Sequence, residues 1–436
     1  MKKLLRLTTS SISLDKLIPG QLRFLSQYYD VVGAASDIGS LQCVGEREGV
    51  RVVDVKMARE ISLVQDVKSL LNLIRLIRLE KPIIVHANTP KASLLGMIAA
   101  WLCRVPHRIY TVTGLRFEGE SGRFRTLLVG MERLTCAFAT KVIPEGEGVK
   151  KRLIQEKITR KPLSVILNGN INGIDTAHFS RSHYPEEVRK ALRDELGIGE
   201  NDFVFVFVGR MTSHKGVNEL ISAFAEVSRS EFRVSSFEDA RITNPRDEEK
   251  RKEVDDTQSA KSLSLRGEVW RGASKLLLVG PLEQELDPLL PETLHEIESN
   301  KDVISVGYQD DVRPYLAISD ALAFPSYREG FPNVVMQAGA MDLPSIVTDI
   351  NGCNEIIIEG ENGVIIPAKD AEALRTAMRQ FLDNPDNTEK MASRSRKMIV
   401  ERYEQQAVWE ALLEEYRALL SIPLPLSPRG MGGVSN

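Results

Sequence analysis

Short, continuous apolar runs alternate with longer stretches of helical spacing along the first part of the chain. Met1 to Leu5 begins an apolar run that breaks at Arg6, Thr8, Thr9 and Ser10, too soon for a signal-peptide core, and reads as a first buried strand. Ile83-Ile84-Val85, Arg108 to Val112, Lys141-Val142-Ile143 and Ser164 to Leu167 are further strand-like runs. Helical sequence starts at Ser93 and again covers Gly122 to Phe138. Runs without in–out alternation, separated by helices, predict a parallel sheet covered on both faces.

The pattern restarts at Phe203 to Val208 and continues through Leu276 to Val279, Val303 to Val306, Ala321 to Phe324 and Ser345 to Thr348. A second α/β set follows from it. The polar stretch Asp175 to Pro185 reads as the linker. The division is then an N-terminal domain over 1–177, a C-terminal domain over 178–402, a helix over 403–420 that packs onto a domain surface, and a Pro/Gly-rich tail over 421–436. Residues 229–273 are polar and charged and fit neither set; they read as a disordered or mobile insertion.

Two apolar helices bear on membranes. Ala92 to Cys103 is shorter than the ~20 residues needed to span a bilayer and reads as a core helix. Asp66 to Lys81 carries Leu70, Leu71, Leu73, Ile74, Leu76, Ile77 and Leu79 among Lys68, Arg75, Arg78 and Lys81. That pattern suits a helix packed on the first sheet with a solvated basic edge; it also suits contact with an anionic lipid surface.

Composition narrows the function classes. The 436 residues exceed one ordinary core. A net charge of −3 offers no electrostatic case for nucleic acid. The four cysteines are far apart with no C-x-x-C, so neither a disulfide framework nor a zinc site is expected, and a reducing cytoplasm fits.

Two segments carry candidate chemistry. Gly209-Arg210-Met211-Thr212-Ser213-His214-Lys215-Gly216 directly follows a strand. Ligands of doubly wound sheets bind at such strand ends, and Arg210 and Lys215 put two cations there, suited to a diphosphate leaving group. The P-loop pattern is absent. As a plain turn, the segment would carry two solvated cations. The second segment runs from Phe324 to Ala338, with Glu329 on a loop and Pro332 placed in the first turn of a helix. A helix N-terminus there suits a phosphate. Glu329 could accept hydrogen bonds from sugar hydroxyls, and Gln337 could reach a ribose. Alone, Glu329 would be an ordinary carboxylate at a helix start.

The ordered set of motifs resembles the retaining GT-B glycosyltransferases of family 4. Gly209-Arg210 and Lys215-Gly216, Glu329 to Gln337, Leu343 to Val347, Asn351 to Ile357, Asn362-Gly363 and Asn172 to Asp175 carry the resemblance over most of residues 160–420 outside the insertion. It is weaker in Val85 to Thr89 and Tyr110 to Leu115. Bacterial enzymes acting on undecaprenyl-diphosphate-linked sugars are the most similar group.

The resemblance implies a fold of two Rossmann-like domains facing across a cleft, with the donor between them and the C-terminal helix packing back on the N-terminal domain. It implies that Arg210 and Lys215 bind the donor diphosphate and that Glu329 contacts the transferred sugar. Gly209, Gly330, Phe331, Pro332, Asn333, Val334 and Gln337 would complete the donor site, and Tyr308 would line the base. The N-domain side would use Gly20 and the position of Thr113; His86, nearby in the sequence, could substitute for a histidine there, although a strand-end histidine is more often structural. No metal and no cofactor is implied. A UDP-linked N-acetylhexosamine or hexose would be the donor. A polyprenyl-diphosphate-linked or saccharide acceptor would be the partner, with peripheral contact at the cytoplasmic face of the membrane. Gln337 stands where the motif has a second glutamate, Thr113 where many members have a histidine, and Asp342 where a glycine is usual. Aspartate tolerates a left-handed backbone better than most residues.

The expected reaction is sugar transfer with retention by a front-face route, since no side chain is placed for double displacement. Three rivals remain: a GT-B sugar-nucleotide epimerase, a non-catalytic nucleotide-sugar-binding protein, and a metal-dependent GT-A enzyme using Asp310-Asp311.

Overall fold

The structure is a computed structural model that describes residues 1–57, 62–242, 272–285 and 287–421, with backbone alone for 230–242. Two six-stranded parallel sheets organise it. The first is built from β1 (Lys3–Ser10), β2 (Asp30–Ser36), β3 (Arg51–Asp54), β4 (Ile84–Ala87), β5 (His107–Val112) and β6 (Lys141–Pro144), in the order β3-β2-β1-β4-β5-β6. The second holds β7 (Phe203–Val208), β8 (Ser274–Val279), β9 (Val303–Gly307), β10 (Ala321–Phe324), β11 (Ser345–Thr348) and β12 (Gly363–Ile366), in the order β12-β11-β10-β7-β8-β9. Renumbered from its own first strand, the second sheet repeats the order of the first. Both are doubly wound, and in both the order reverses beside the first strand: between β1 and β4, and between β7 and β10. Every residue of β4, β10 and β11 is buried, as strands covered on both faces require.

The chain forms two compact units: Met1–Gly173 together with the chain from Gln405, and Ile174–Glu404. The second unit has one core, in which Phe203, Phe205, Phe207, Phe224 and Phe324 are almost fully buried. The first unit takes part of its core from the helix Gln405–Ser421. Val408, Leu412, Leu413 and Tyr416 of that helix are buried, and Trp409 packs at a tilt against Phe24 and donates from Nε1 to Asn172 Oδ1 at 2.8 Å. The C-terminal helix thus packs back on the N-terminal unit. It is separated from the preceding helix, Pro385–Tyr403, by Glu404, so Tyr403 closes one helix and does not open the next.

Several expectations need revision. Ser164 to Leu167 is not a strand. Only Leu163 bridges to Val142 of the edge strand β6, after which Leu167, Gly169 and Asn170 take positive φ and turn the chain away. The segment read as an insertion from residue 229 begins inside a helix, Val217–Ile242; 243–271 lie outside the described residues, as does the tail from 422. Pro332 stands at the N-cap, one position ahead of the helix Asn333–Ala340. Asp342 does take the left-handed conformation, with φ of 63°. No helix among the described residues is long and apolar enough to cross a membrane; Pro90–Leu102, the most apolar, is a largely buried helix.

Candidate functional site

In the second unit the two segments singled out in the sequence are the loops that leave β7 and β10, the strands flanking the switch point. Parallel pairing of Ala321 with Phe205 and of Leu322 with Val206 fixes their register. Beyond the strand ends the loops are joined directly: Tyr327 N–H donates to the His214 carbonyl at 3.0 Å. Gly216 makes this approach possible. Its φ is +74°, and a Cβ there would stand 2.0 Å from the Pro325 carbonyl oxygen. On the other side Gly352, at φ +75°, lies under the same loop, where a Cβ would be 2.6 Å from the Gly330 carbonyl oxygen.

This packing brings Lys215 and Glu329 into an ion pair. Ser326 Oγ donates to the same Glu329 oxygen at 2.8 Å, and the Lys215 ammonium lies 5.6 Å from the centre of the Phe324 ring. The two charged side chains are only 17% and 16% exposed. Cys353 is fully buried close by; burial first, and then the charge of Glu329, push its thiol well above the usual range. Arg210 is exposed and pairs with Glu283 at 2.8 Å. Gly330 follows Glu329 on the loop, Phe331 and Pro332 are buried, and Asn333 and Val334 open the helix whose N-terminus faces the strand ends. Gln337 is half-buried on that helix.

Other groups hold the loops and had no sequence signal of their own. Asp287 pairs with the His214 ring and accepts from its backbone N–H at 2.9 Å, clamping the turn that carries Lys215. Tyr327 donates its hydroxyl to Glu219. Desolvation first, then that bond, raises the Tyr327 pKa. Thr348, from β11, donates to the Ser326 carbonyl. After β9, Tyr308 is 61% exposed and donates to Asp310 at 2.9 Å, while Asp311 forks onto Arg313.

The N-unit candidates fare differently. His86 is 1% exposed and has both ring nitrogens partnered inside the unit, as the structural reading of a strand-end histidine expects. Its Nδ1 meets the Tyr416 hydroxyl and its Nε2 is 2.7 Å from Thr111 Oγ1. Arg6 also donates to the Tyr416 oxygen. Burial, reinforced by the Arg6 charge, holds the His86 pKa well below its usual value, and the ring is neutral. Gly20 likewise turns inward: its N–H donates to Glu48 at 2.9 Å and a Cβ there would stand 2.6 Å from the Trp409 ring. Thr113 is half-buried and donates to the Asn88 carbonyl at 2.9 Å, tying the ends of β4 and β5 together.

Comparison with known proteins meets this geometry on both sheets. Residues 27–169 match the family model for a glycosyl transferase 4-like domain, and residues 248–384 match that for glycosyl transferases group 1. The chain is a glycosyltransferase of the GT-B fold. It is 29% identical to the capsular polysaccharide biosynthesis glycosyltransferase CapM of Staphylococcus aureus, over 96% of this chain and 98% of CapM. It is 27% identical to the UDP-Gal:alpha-D-GlcNAc-diphosphoundecaprenol alpha-1,3-galactosyltransferase of Escherichia coli, over 75% of this chain and 73% of that one. Among solved structures the glycosyltransferase resembles Anabaena HepE in complex with UDP and glucose, with a TM-score of 0.72 at 18% identity, covering 96% of this chain and 100% of HepE.

Proposed function

We propose that this glycosyltransferase moves a hexosyl or N-acetylhexosaminyl group from a nucleoside diphosphate, UDP by preference, to a polyprenyl-diphosphate-linked saccharide during synthesis of a cell-surface polysaccharide. The observation that carries the reading is the meeting of Lys215 and Glu329 where the loops of β7 and β10 join at the switch point. The names of the capsular and undecaprenol-linked relatives support the acceptor class, and the UDP complex of HepE supports the nucleotide.

In this reading Lys215, Arg210 and the N-terminus of Asn333–Ala340 neutralise the diphosphate as the bond from the sugar C1 to the phosphate oxygen breaks. The acceptor hydroxyl oxygen forms the new bond to C1 from the same face, and its proton passes to the departing phosphate oxygen. Configuration is retained. Glu329 orients the sugar through its hydroxyls, and Gln337 hydrogen-bonds the ribose. The cations and the helix end take the charge a metal would otherwise take, so turnover needs no metal and no cofactor.

A lipid-linked acceptor also calls for contact with a bilayer at the cytoplasmic face. On the helix Leu63–Glu80 the side chains of Leu63, Val64, Val67 and Leu71 are exposed, with Lys68, Arg75 and Arg78 exposed on the same helix. An apolar strip with basic flanks suits an anionic interface. Sedimentation with vesicles containing phosphatidylglycerol should retain the protein, and replacing Val64 and Val67 by Glu should release it; equal retention removes this contact.

The experiment for the function is a thermal-shift and hydrolysis panel of nucleotide sugars, with and without EDTA, followed by product analysis with a polyprenyl-diphosphate saccharide. One donor should stabilise the protein and release its nucleotide slowly with EDTA present, and its sugar should appear on the acceptor as the α-linked product. No stabilisation by any nucleotide sugar would overturn the reading, and a new nucleotide sugar formed without acceptor would make the protein an epimerase.

A further inference from the structure

Arg210 and Lys215 both have carboxylate partners from their own chain, but the two pairs are built differently. Lys215–Glu329 is largely shielded, and Ser326 fixes the carboxylate from the other side. Arg210–Glu283 is open to solvent, with side chains 51% and 36% exposed. Its register is nevertheless set by backbone. Gly209 N–H donates to the Val279 carbonyl at 2.9 Å and Met211 N–H to Pro281 at 2.8 Å. Glu283 N–H returns to Met211 at 3.3 Å, and Met211 bridges Leu282 in parallel. The β7–β8 ladder is thereby carried past the strand ends and sets the Glu283 side chain beside Arg210.

A carboxylate held next to a cation that receives phosphate is a competitor for that cation. We infer that Glu283 is an internal competitor of the donor diphosphate at Arg210, weakening nucleoside diphosphate binding and speeding its departure after transfer. This rests on the donor-site reading above. An incoming diphosphate has to displace the Glu283 carboxylate from Arg210, which lowers affinity and favours release of the charged product. The exposure of the pair makes the exchange easy, because an exposed ion pair holds by little. Glu329, shielded and tied to Ser326, is not displaced in this way.

The test measures UDP binding and dissociation by stopped flow or calorimetry for the wild-type protein, Glu283→Gln, Arg210→Met and the double variant, with melting temperatures as the folding control. Glu283→Gln should tighten UDP binding by about 1.5- to 5-fold, mostly through slower dissociation, the range set by exposed ion pairs. In the Arg210→Met background the same change should have no effect. Under saturating donor, kcat and KM should fall together in Glu283→Gln where UDP release limits turnover. UDP binding that Glu283→Gln leaves unchanged or weakens, or a gain that persists without Arg210, would overturn the inference and leave the donor site standing. Failure of the wild-type protein to bind any nucleoside diphosphate would remove the donor site, and this inference with it.

Discussion

At the scale of single residues, the meeting of the two candidate loops was legible because it depends on which residues follow a strand end. Lys215 and Glu329 are 114 positions apart, yet each follows a readable apolar run, and the parallel fold joins such run ends. Replacing Lys215 with Ala should lower kcat by about 10²-fold, as loss of one charge-stabilising donor does, while UDP affinity falls less than tenfold, because leaving-group charge peaks late in the reaction. Steady-state kinetics beside calorimetric UDP binding check this. His86 shows the limit of the same reasoning. A histidine at a strand end reads more readily as core than as ligand, and Tyr416, the residue that partners it, arrives 330 positions later. A buried neutral histidine binds no proton in the folded state where the unfolded chain, with a pKa near 6.5, does. Its contribution to stability is therefore full above that value and is lost as pH falls below it. The stability difference between wild type and His86→Gln should be constant from pH 7 to 8 and shrink below pH 6.5, by up to about 1.4 kcal/mol per pH unit, in urea titrations across that range.

At the scale of elements, strong apolar runs gave strands β4 to β11, while β2, β3 and β12 escaped notice. β3 and β12 are four-residue edge strands; β3 is only partly buried and bounded by charged residues, and the apolar part of β12 is three residues long, short for a strand signal. Ser164 to Leu167 erred the other way: an apolar run lies along the edge of a sheet without joining its ladder. What neither propensity nor pattern announced is the approach of Gly216 to Pro325. Alanine there faces left-handed backbone as well as a carbonyl oxygen. It should cost about 1–3 kcal/mol from the backbone alone, read by thermal denaturation, and weaken UDP binding by shifting the turn before Lys215. The helix Gln405–Ser421 is the opposite case, easily read as helical yet silent about its destination. Ending the chain at Glu404 removes four buried side chains from the first unit, each worth roughly 1.5–3 kcal/mol, against a total domain stability of about 5–15 kcal/mol. The shortened protein should lose cooperative unfolding of the first unit while Ile174–Glu404 keeps its UDP binding.

At the scale of the molecule, one strand order is used twice, and the candidate residues of the second unit sit at its point of reversal. The motifs shared with the family are concentrated in that unit, and the sheet order explains why they cluster there: the loops after β7 and β10 are the two that a doubly wound sheet leaves free to converge. Hydrogen exchange with and without UDP should show protection gathered over 209–216 and 326–337, with the ends of β11 and β12 unchanged; protection spread evenly over the unit would place the nucleotide elsewhere.

The return of the chain to its first unit also sets an order of assembly during synthesis. Leu4, Leu14, Ile84 and Ile109 share a core with Leu412, Leu413 and Tyr416, so a nascent first unit leaves the ribosome with that side of its core uncovered. The whole second unit has to be made before the covering helix emerges, a wait on the order of tens of seconds at about 5–20 residues per second. During that interval the half-built unit is the species most exposed to aggregation, and chaperone engagement of stalled nascent chains should peak between release of residue 173 and arrival of residue 405.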